Sequence, residues 1–246
     1  MLEFVCLGSG SGGNAYIFRE GEDIILVECG IEQKKLTSRL MDHGILPSQI
    51  KTVVVTHGHG DHICSIDYWL ARGTKVLAPR TCLDQFADSV ILAENGTKCS
   101  LTDNIQTLAF TVNHDCDALG YIFFFKNSKE SVLFINDTYY FDFPYTSFGF
   151  DYVFIECNHI RKMVEEIKEK CITSGLPTAK YDRQLEYHMS LAALKKFLKN
   201  MNLSKTKKIY LMHLSKECCD GELCKTIIGS TFKCDTFVCG EHGGFY

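Results

Sequence analysis

The segment VVVTHGHGDHI places His57, His59, Asp61 and His62 within six positions, directly after an apolar run that ends at Thr56. Neutral imidazole and carboxylate are ligands for Zn²⁺, Mn²⁺ or Fe, and four such groups exceed what one closed site would take from a single loop. Two metals are therefore implied. Gly58 and Gly60 alternate with these residues, and a backbone free of Cβ at those places can turn so that the side chains converge. The alternative, a polar loop with incidental histidines, would set four unpartnered ionisable groups beside a buried strand at considerable cost.

Groups of this kind need rigid strands to aim them. Alternating or continuous apolar runs predict strands at Leu2 to Leu7, Ala15 to Arg19, Ile24 to Glu28, Thr52 to Thr56, Lys75 to Ala78 and Gln106 to Val112, then at Gly120 to Lys126, Ser131 to Asn136, Tyr152 to Glu156, Lys208 to Met212 and Thr236 to Cys239. Apolar residues recurring every three or four positions predict helices over Gln33 to His43, Ser65 to Arg72, Cys82 to Ala93, Ile160 to Cys171 and Leu191 to Met201. In the last, Ser190 is placed to cap and Leu191, Leu194, Phe197 and Leu198 share a stripe. Hairpins mixed with isolated buried strands that lead into helices predict an α/β (α+β) sandwich of mixed sheets covered by helices.

Composition agrees with one globular domain over residues 1–246: 46% of residues are hydrophobic and 23% charged, with four prolines and no low-complexity linker. Neither a leader nor a membrane span is signalled, so a cytoplasmic protein is expected. The thirteen cysteines are odd in number and irregularly spaced, which predicts free thiols; Cys218, Cys219, Cys224, Cys234 and Cys239 lack the paired C-x-x-C spacing of a zinc site. A net charge of −4 gives no global attraction to polyanions. Between Met189 and His213, however, there is no acidic residue, while Lys195, Lys196, Lys199, Lys205, Lys207 and Lys208 all fall there. The stretch GSGSGGN, Gly8 to Asn14, contains G-x-G-x-x-G, but a hairpin pattern follows it where a dinucleotide loop needs a helix.

H-G-H-G-D-H after a strand resembles the H-x-H-x-D-H signature of the metallo-β-lactamase fold superfamily. The resemblance implies a four-layer αββα sandwich with metals between the facing sheet edges. It extends to His114 in FTVNHD, Asp137 in SVLFINDT and His213 in IYLMHLS. By that resemblance His57, His59 and His114 hold one metal, Asp61, His62 and His213 the other, and Asp137 binds both. LGSGSGGNAYIF resembles the family's glycine-rich turn beside the cleft, and ILVECG its strand ending in Asp-x-Gly, with Glu28 where aspartate is usual.

The set GSGSGGN, THGHGDH, NHD, NDT, ECNH, YHMS and MHLS is similar to the YycJ-type subgroup of these hydrolases, relatives of ribonuclease Z-like phosphodiesterases. This implies a phosphodiesterase or nuclease with two divalent ions, zinc or manganese with iron also compatible, a bridging hydroxide as nucleophile, and Asp61 orienting it. His188 in EYHMS would then donate a proton to the leaving oxygen or steady the phosphate. His159, after DYVFIEC, could also face the site. The lysine-rich span would lie near the cleft and favour a nucleic acid, DNA or RNA, over a small phosphodiester. A thioester hydrolase of the glyoxalase II type shares the ligands; His188 and the lack of a carboxy-terminal substrate domain weigh against it. Asp137 stands where a β-lactamase would carry cysteine, and the interval from Asp137 to His213 is too short for an inserted β-CASP domain.

Overall fold

Two β-sheets face one another across a layer of interlocked aromatic rings. The computed structural model describes residues 2–82 and 90–246. The first sheet, in order, is β1 (Leu2–Gly8), β2 (Ala15–Glu20), β3 (Asp23–Val27), β4 (Ile50–Val54), β5 (Lys75–Ala78) and β6 (Ile91–Leu92). The second runs β13 (Asp235–Val238), β12 (Lys208–Met212), β11 (Tyr152–Glu156), β10 (Glu130–Ile135), β9 (Ala118–Phe125), β8 (Ile105–Val112) and β7 (Lys98–Ser100). β3 to β6 are parallel to one another, as are β10 to β13, while hairpins make up the rest.

Between the sheets lie Phe4, Tyr16, Phe18, Phe123, Phe134, Phe154 and Tyr210. Phe154 touches five of these rings, three edge-on or tilted and two, Phe134 and Tyr210, stacked, the latter at 4.2 Å. The outer face of the first sheet is covered by α1 (Gln33–Asp42) through Leu36 and Leu40, and by α3 (Ile66–Ala71) through Ile66 and Trp69. The outer face of the second is covered by α6 (Leu191–Lys199), whose Leu191, Leu194, Phe197 and Leu198 form the expected stripe, and by α7 (Gly221–Phe232) through Cys224 and Ile228. This is the αββα sandwich. Further α-helices among the described residues are the single turn α2 (Gly60–Ile63), α4 (Arg161–Thr173) and α5 (Ala179–Tyr187).

Three differences from the sequence expectation bear on the site. The helix expected over Cys82 to Ala93 falls largely outside the described residues, and within them Ile91 and Leu92 form strand β6. Helices α5 and α7 were not expected. The lysine run also lies elsewhere. Lys208 opens β12 at the end opposite His213, about 16 Å away at strand rise. Lys205 pairs with Asp151, Lys207 with Glu130, and Lys196 sits over the Tyr140 ring. Among the described residues no helix is long and apolar enough to cross a membrane.

Candidate metal centre

β8, β10 and β12 run the same way, and their carboxyl ends meet that of β4 from the facing sheet at one edge of the sandwich, where the expected residues follow. Cross-sheet bonds fasten that edge. Leu119 N donates to Thr56 O at 2.9 Å, Tyr121 Oη to Val55 O at 2.7 Å, and His213 N to Ser9 Oγ at 2.8 Å.

The histidine loop is held by its own neighbours. Gly58 and Gly60 both keep ordinary φ, so the turning that their spacing predicted is done elsewhere. Glu28, Asp137 and His213 are non-glycine residues in the left-handed region, at φ 64°, 45° and 54°, and this strained backbone swings each side chain off its strand into the edge. The glycine that close packing demands is Gly30, where a Cβ would stand 1.7 Å from Asp61 O. Around it Asn14 N donates to Asp61 O, Cys29 N to His62 O and Gly30 N to Asn14 O, at 2.8, 2.9 and 2.9 Å. Asn14 Nδ2 donates to Asp61 O, and its Oδ1 accepts from Gly10 N. The glycine-rich turn is thus a backbone clamp on the histidine motif.

His57 Nε2 lies 3.0 Å from His59 Nδ1, and that nitrogen lies 3.2 Å from His114 Nε2. Beside this trio, Asp61, His62, Asp137 and His213 converge. His213 Nε2 is 3.4 Å from Asp61 Oδ2, and His62 Nε2 is 3.2 Å from Asp137 Oδ2. Asp137 spans the two groups, its Oδ2 being 3.7 Å from His57 Nε2 and its Oδ1 3.4 Å from His213 Nε2. Ring nitrogens facing ring nitrogens cannot all satisfy one another, and buried Asp137 Oδ1 has no hydrogen-bond partner. Such a donor set fits divalent cations.

The environment of each group follows from burial and neighbours. Burial, reinforced by the nearby His62 charge, holds His57 well below the ordinary histidine range. Burial also depresses His62, yet the Glu28 and Asp137 carboxylates together hold it well above that range. Asp137 resists burial and stays strongly acidic beside His213 and His62. Glu28, longer than the family's usual aspartate, accepts from Thr56 Oγ1 at 2.5 Å and Thr56 N at 3.3 Å and faces His62 Nδ1 at 3.1 Å. That contact fixes the His62 tautomer, leaving Nε2 to face the centre.

His188 closes the other wall. Its Nδ1 is 2.6 Å from Glu156 Oε1, and its ring lies parallel to His213, 8° apart in plane with centroids at 5.3 Å. Burial opposes its protonation, but Glu156 overrides this and raises its pKa. Glu156 Oε2 accepts from Thr138 N and Met189 N, so the carboxylate is fixed by backbone. Sequence reasoning missed Glu156 as an orienting group, although IECNH repeats the strand-end glutamate of VECG. It also missed Asn158, which donates to His213 O at 2.8 Å, and Cys116, whose thiol joins the His57, His59 and His114 group. His159 is buried, belongs to none of these groups and has its pKa lowered to about 4 by burial; His43 and His242 are exposed.

Two cavities reach the cluster. One of about 290 Å³ is lined by Arg80, Asn113, His114 and Cys116; the other, of about 460 Å³, by Lys180, Arg183, His188, His213 and Lys216. The basic groups of the second are each paired, Lys180 with Glu217, Lys216 with Glu241, and Arg183 Nε with Asp115 at 3.0 Å.

Fold and site together define a protein of metallo-β-lactamase fold, and residues 8–80 match the family described as the metallo-beta-lactamase superfamily. The exodeoxyribonuclease WalJ of Streptococcus pneumoniae is 28% identical to it over 242 residues, covering 88% of this chain and 82% of that protein. In structure the chain resembles the metallo-β-lactamase fold protein YhfI of Bacillus subtilis (TM-score 0.75, 15% identity, 100% of this chain and 98% of that one). It also resembles the short form of human tRNase Z (TM-score 0.65, 17% identity, 87% and 92%).

Proposed function

We propose that this metallo-β-lactamase-fold hydrolase cleaves phosphodiester bonds of nucleic acid with the help of two divalent cations. The similarity to an exodeoxyribonuclease supports DNA as the polymer and removal of nucleotides from its ends as the action. His57, His59 and His114 would hold one cation, Asp61, His62 and His213 the other, with Asp137 shared between them. Bound there, divalent ions supply Lewis acidity and lower the pKa of water from 15.7 toward about 7.

The observation that carries the reading is His188. A thioester, whose thiolate leaves unaided, needs no acid fixed on the wall facing the ligand cluster, whereas a departing alkoxide does. Held at Nδ1 by Glu156, the imidazole keeps Nε2–H free for the leaving oxygen of the phosphodiester. The Asp61 carboxylate, facing His213 through Oδ2, orients the attacking water and takes up its proton. Arg183, Lys180 and Lys216 line the larger cavity and meet neighbouring phosphates of the strand, a role the Lys195 to Lys208 run cannot fill from its position.

The test compares chelated with Mn²⁺- or Zn²⁺-loaded protein on bis-p-nitrophenyl phosphate, a thioester, and single- and double-stranded oligonucleotides. Metal-dependent phosphodiester cleavage should fall about 10²- to 10⁴-fold in His188→Ala, with metal content unchanged. Thioester turnover indifferent to that substitution would overturn the reading.

A further inference from the structure

A third group of ligating side chains lies behind the His188 wall. Cys157 leaves the end of β11 immediately after Glu156, Cys219 stands in the loop following His213, and Cys224 lies near the start of α7. Their sulfurs all lie within 4.8 Å of one another, and the Cys219 and Cys224 sulfurs are 3.6 Å apart. Cys157 and Cys224 are buried, while Cys219 is partly open to solvent.

Distance and charge both bear on what this group does. A disulfide would need its sulfurs at about 2.05 Å. Thiolates about 2.3 Å from one tetrahedral ion stand about 3.8 Å apart, close to the separation found here. The amino end of α7 offers its dipole to the negative charge of gathered thiolates, while the Asp220 carboxylate that caps it, accepting from Leu223 N, opposes that charge at Cys219 and Cys224. Hydrogen bonding from Cys157 and then from Cys219 draws the Cys224 thiol far below the ordinary thiol range despite its burial. One of the three thiols is thus readied as a thiolate, while hydrogen bonding to Cys224 and burial hold Cys157 and Cys219 above the ordinary thiol range, so an arriving ion must displace their protons.

We propose that Cys157, Cys219 and Cys224 form a separate thiolate site for one soft divalent cation of the zinc class, with solvent at the partly open Cys219 side supplying the fourth ligand. The site is independent of the reaction proposed above. Its ligands come from β11, from the loop beyond β12 and from α7, so the ion ties together the segments on which Glu156, Asn158 and His213 are mounted. Binding replaces the protons of the ligating thiols, releasing them to solvent, and no oxidant is involved.

Cd²⁺ added to the full-length reduced protein is the probe, because sulfur-to-cadmium charge transfer in the near ultraviolet arises only from thiolate ligands. The band should appear at one ion per chain and be lost in the Cys219→Ser/Cys224→Ser double variant. It should persist in Cys116→Ser, which removes the thiol beside the histidine trio. X-ray absorption on the wild-type cadmium protein adds a readout that needs no variant, and should show a shell of several sulfurs around part of the bound metal. A band that survives the double variant, or that disappears in Cys116→Ser, overturns the proposal. So does the absence of a sulfur shell, or a Cys219–Cys224 disulfide found by mass mapping in protein prepared without oxidant.

Discussion

Glu28→Gln is the most informative single change, because it preserves shape while altering what the buried end of the side chain can offer. The carboxylate meets three donors: Thr56 Oγ1, Thr56 N and His62 Nδ1. An amide has one acceptor oxygen and two N–H groups, so in either orientation at least one of these buried donors faces another donor. That orphan costs about 1–3 kcal/mol of folding stability. Thr56 Oγ1 escapes, since His57 Nδ1 lies 3.0 Å away as a second partner. The larger effect falls on His62, whose Nδ1 is no longer anchored by a charged acceptor; loss of such an orienting partner weakens a metal site by about 10- to 100-fold. At about 1.4 kcal/mol per tenfold, this is about 1.4–2.8 kcal/mol of binding. The cation beside His57, His59 and His114 should be affected less, because Glu28 reaches that trio only through Thr56. Competition against a chelator, with metal content and thermal unfolding followed in parallel, resolves the two affinities. Unchanged affinity at both centres, or a greater loss on the His57 side, would refute the idea that Glu28 works by fixing His62.

Further outcomes follow from other parts of the molecule. Gly30→Ala must displace the Asp61 backbone, which would lie 1.7 Å from the new Cβ, so the variant should lose bound metal even where circular dichroism shows it folded; full metal content would contradict the clamp. Phe154→Ala empties the centre of the inter-sheet aromatic layer and should cost about 3–5 kcal/mol in denaturant unfolding, while a loss below about 1 kcal/mol would mean that the layer repacks freely. Arg183→Ala should raise KM for oligonucleotides more than for bis-p-nitrophenyl phosphate and reduce the salt dependence by about one phosphate contact; equal effects on both substrates would remove Arg183 from the strand's path.

Strands buried on both faces were legible to the residue: Lys75–Ala78, Tyr152–Glu156 and Lys208–Met212 form as their apolar runs predict. Helix α5 was not, because Gln184 is its only buried residue and no apolar stripe marks its face. Helix α7 buries just Cys224 and Ile228 and carries Thr226, Gly229, Ser230 and Thr231, a composition that says little about helix. Edge strands of two or three residues, such as β6 and β7, are too short to show a period. The lysine run misled because the family resemblance was taken to set the span beyond His188 near the cleft, whereas Lys205, Lys207 and Lys208 lie at the end of β12 away from His213. The seven histidine and aspartate positions could be found because each follows an apolar run. Glu156, Cys116 and the Cys157, Cys219 and Cys224 group could not, since only the folded chain brings their segments together.

The residues that would grip cations are divided between the two halves of the sandwich: His57, His59, Asp61 and His62 follow β4 in one sheet, while His114, Asp137 and His213 follow strands of the other. An ion at this edge is therefore a bolt through a joint, and each site filled at a hundred times its dissociation constant would add about 2.7 kcal/mol against unfolding. Starving the protein of metal would loosen the hinge between its halves as well as silence it. Neither half could keep partial competence alone, so assembly and reactivity would be won or lost together.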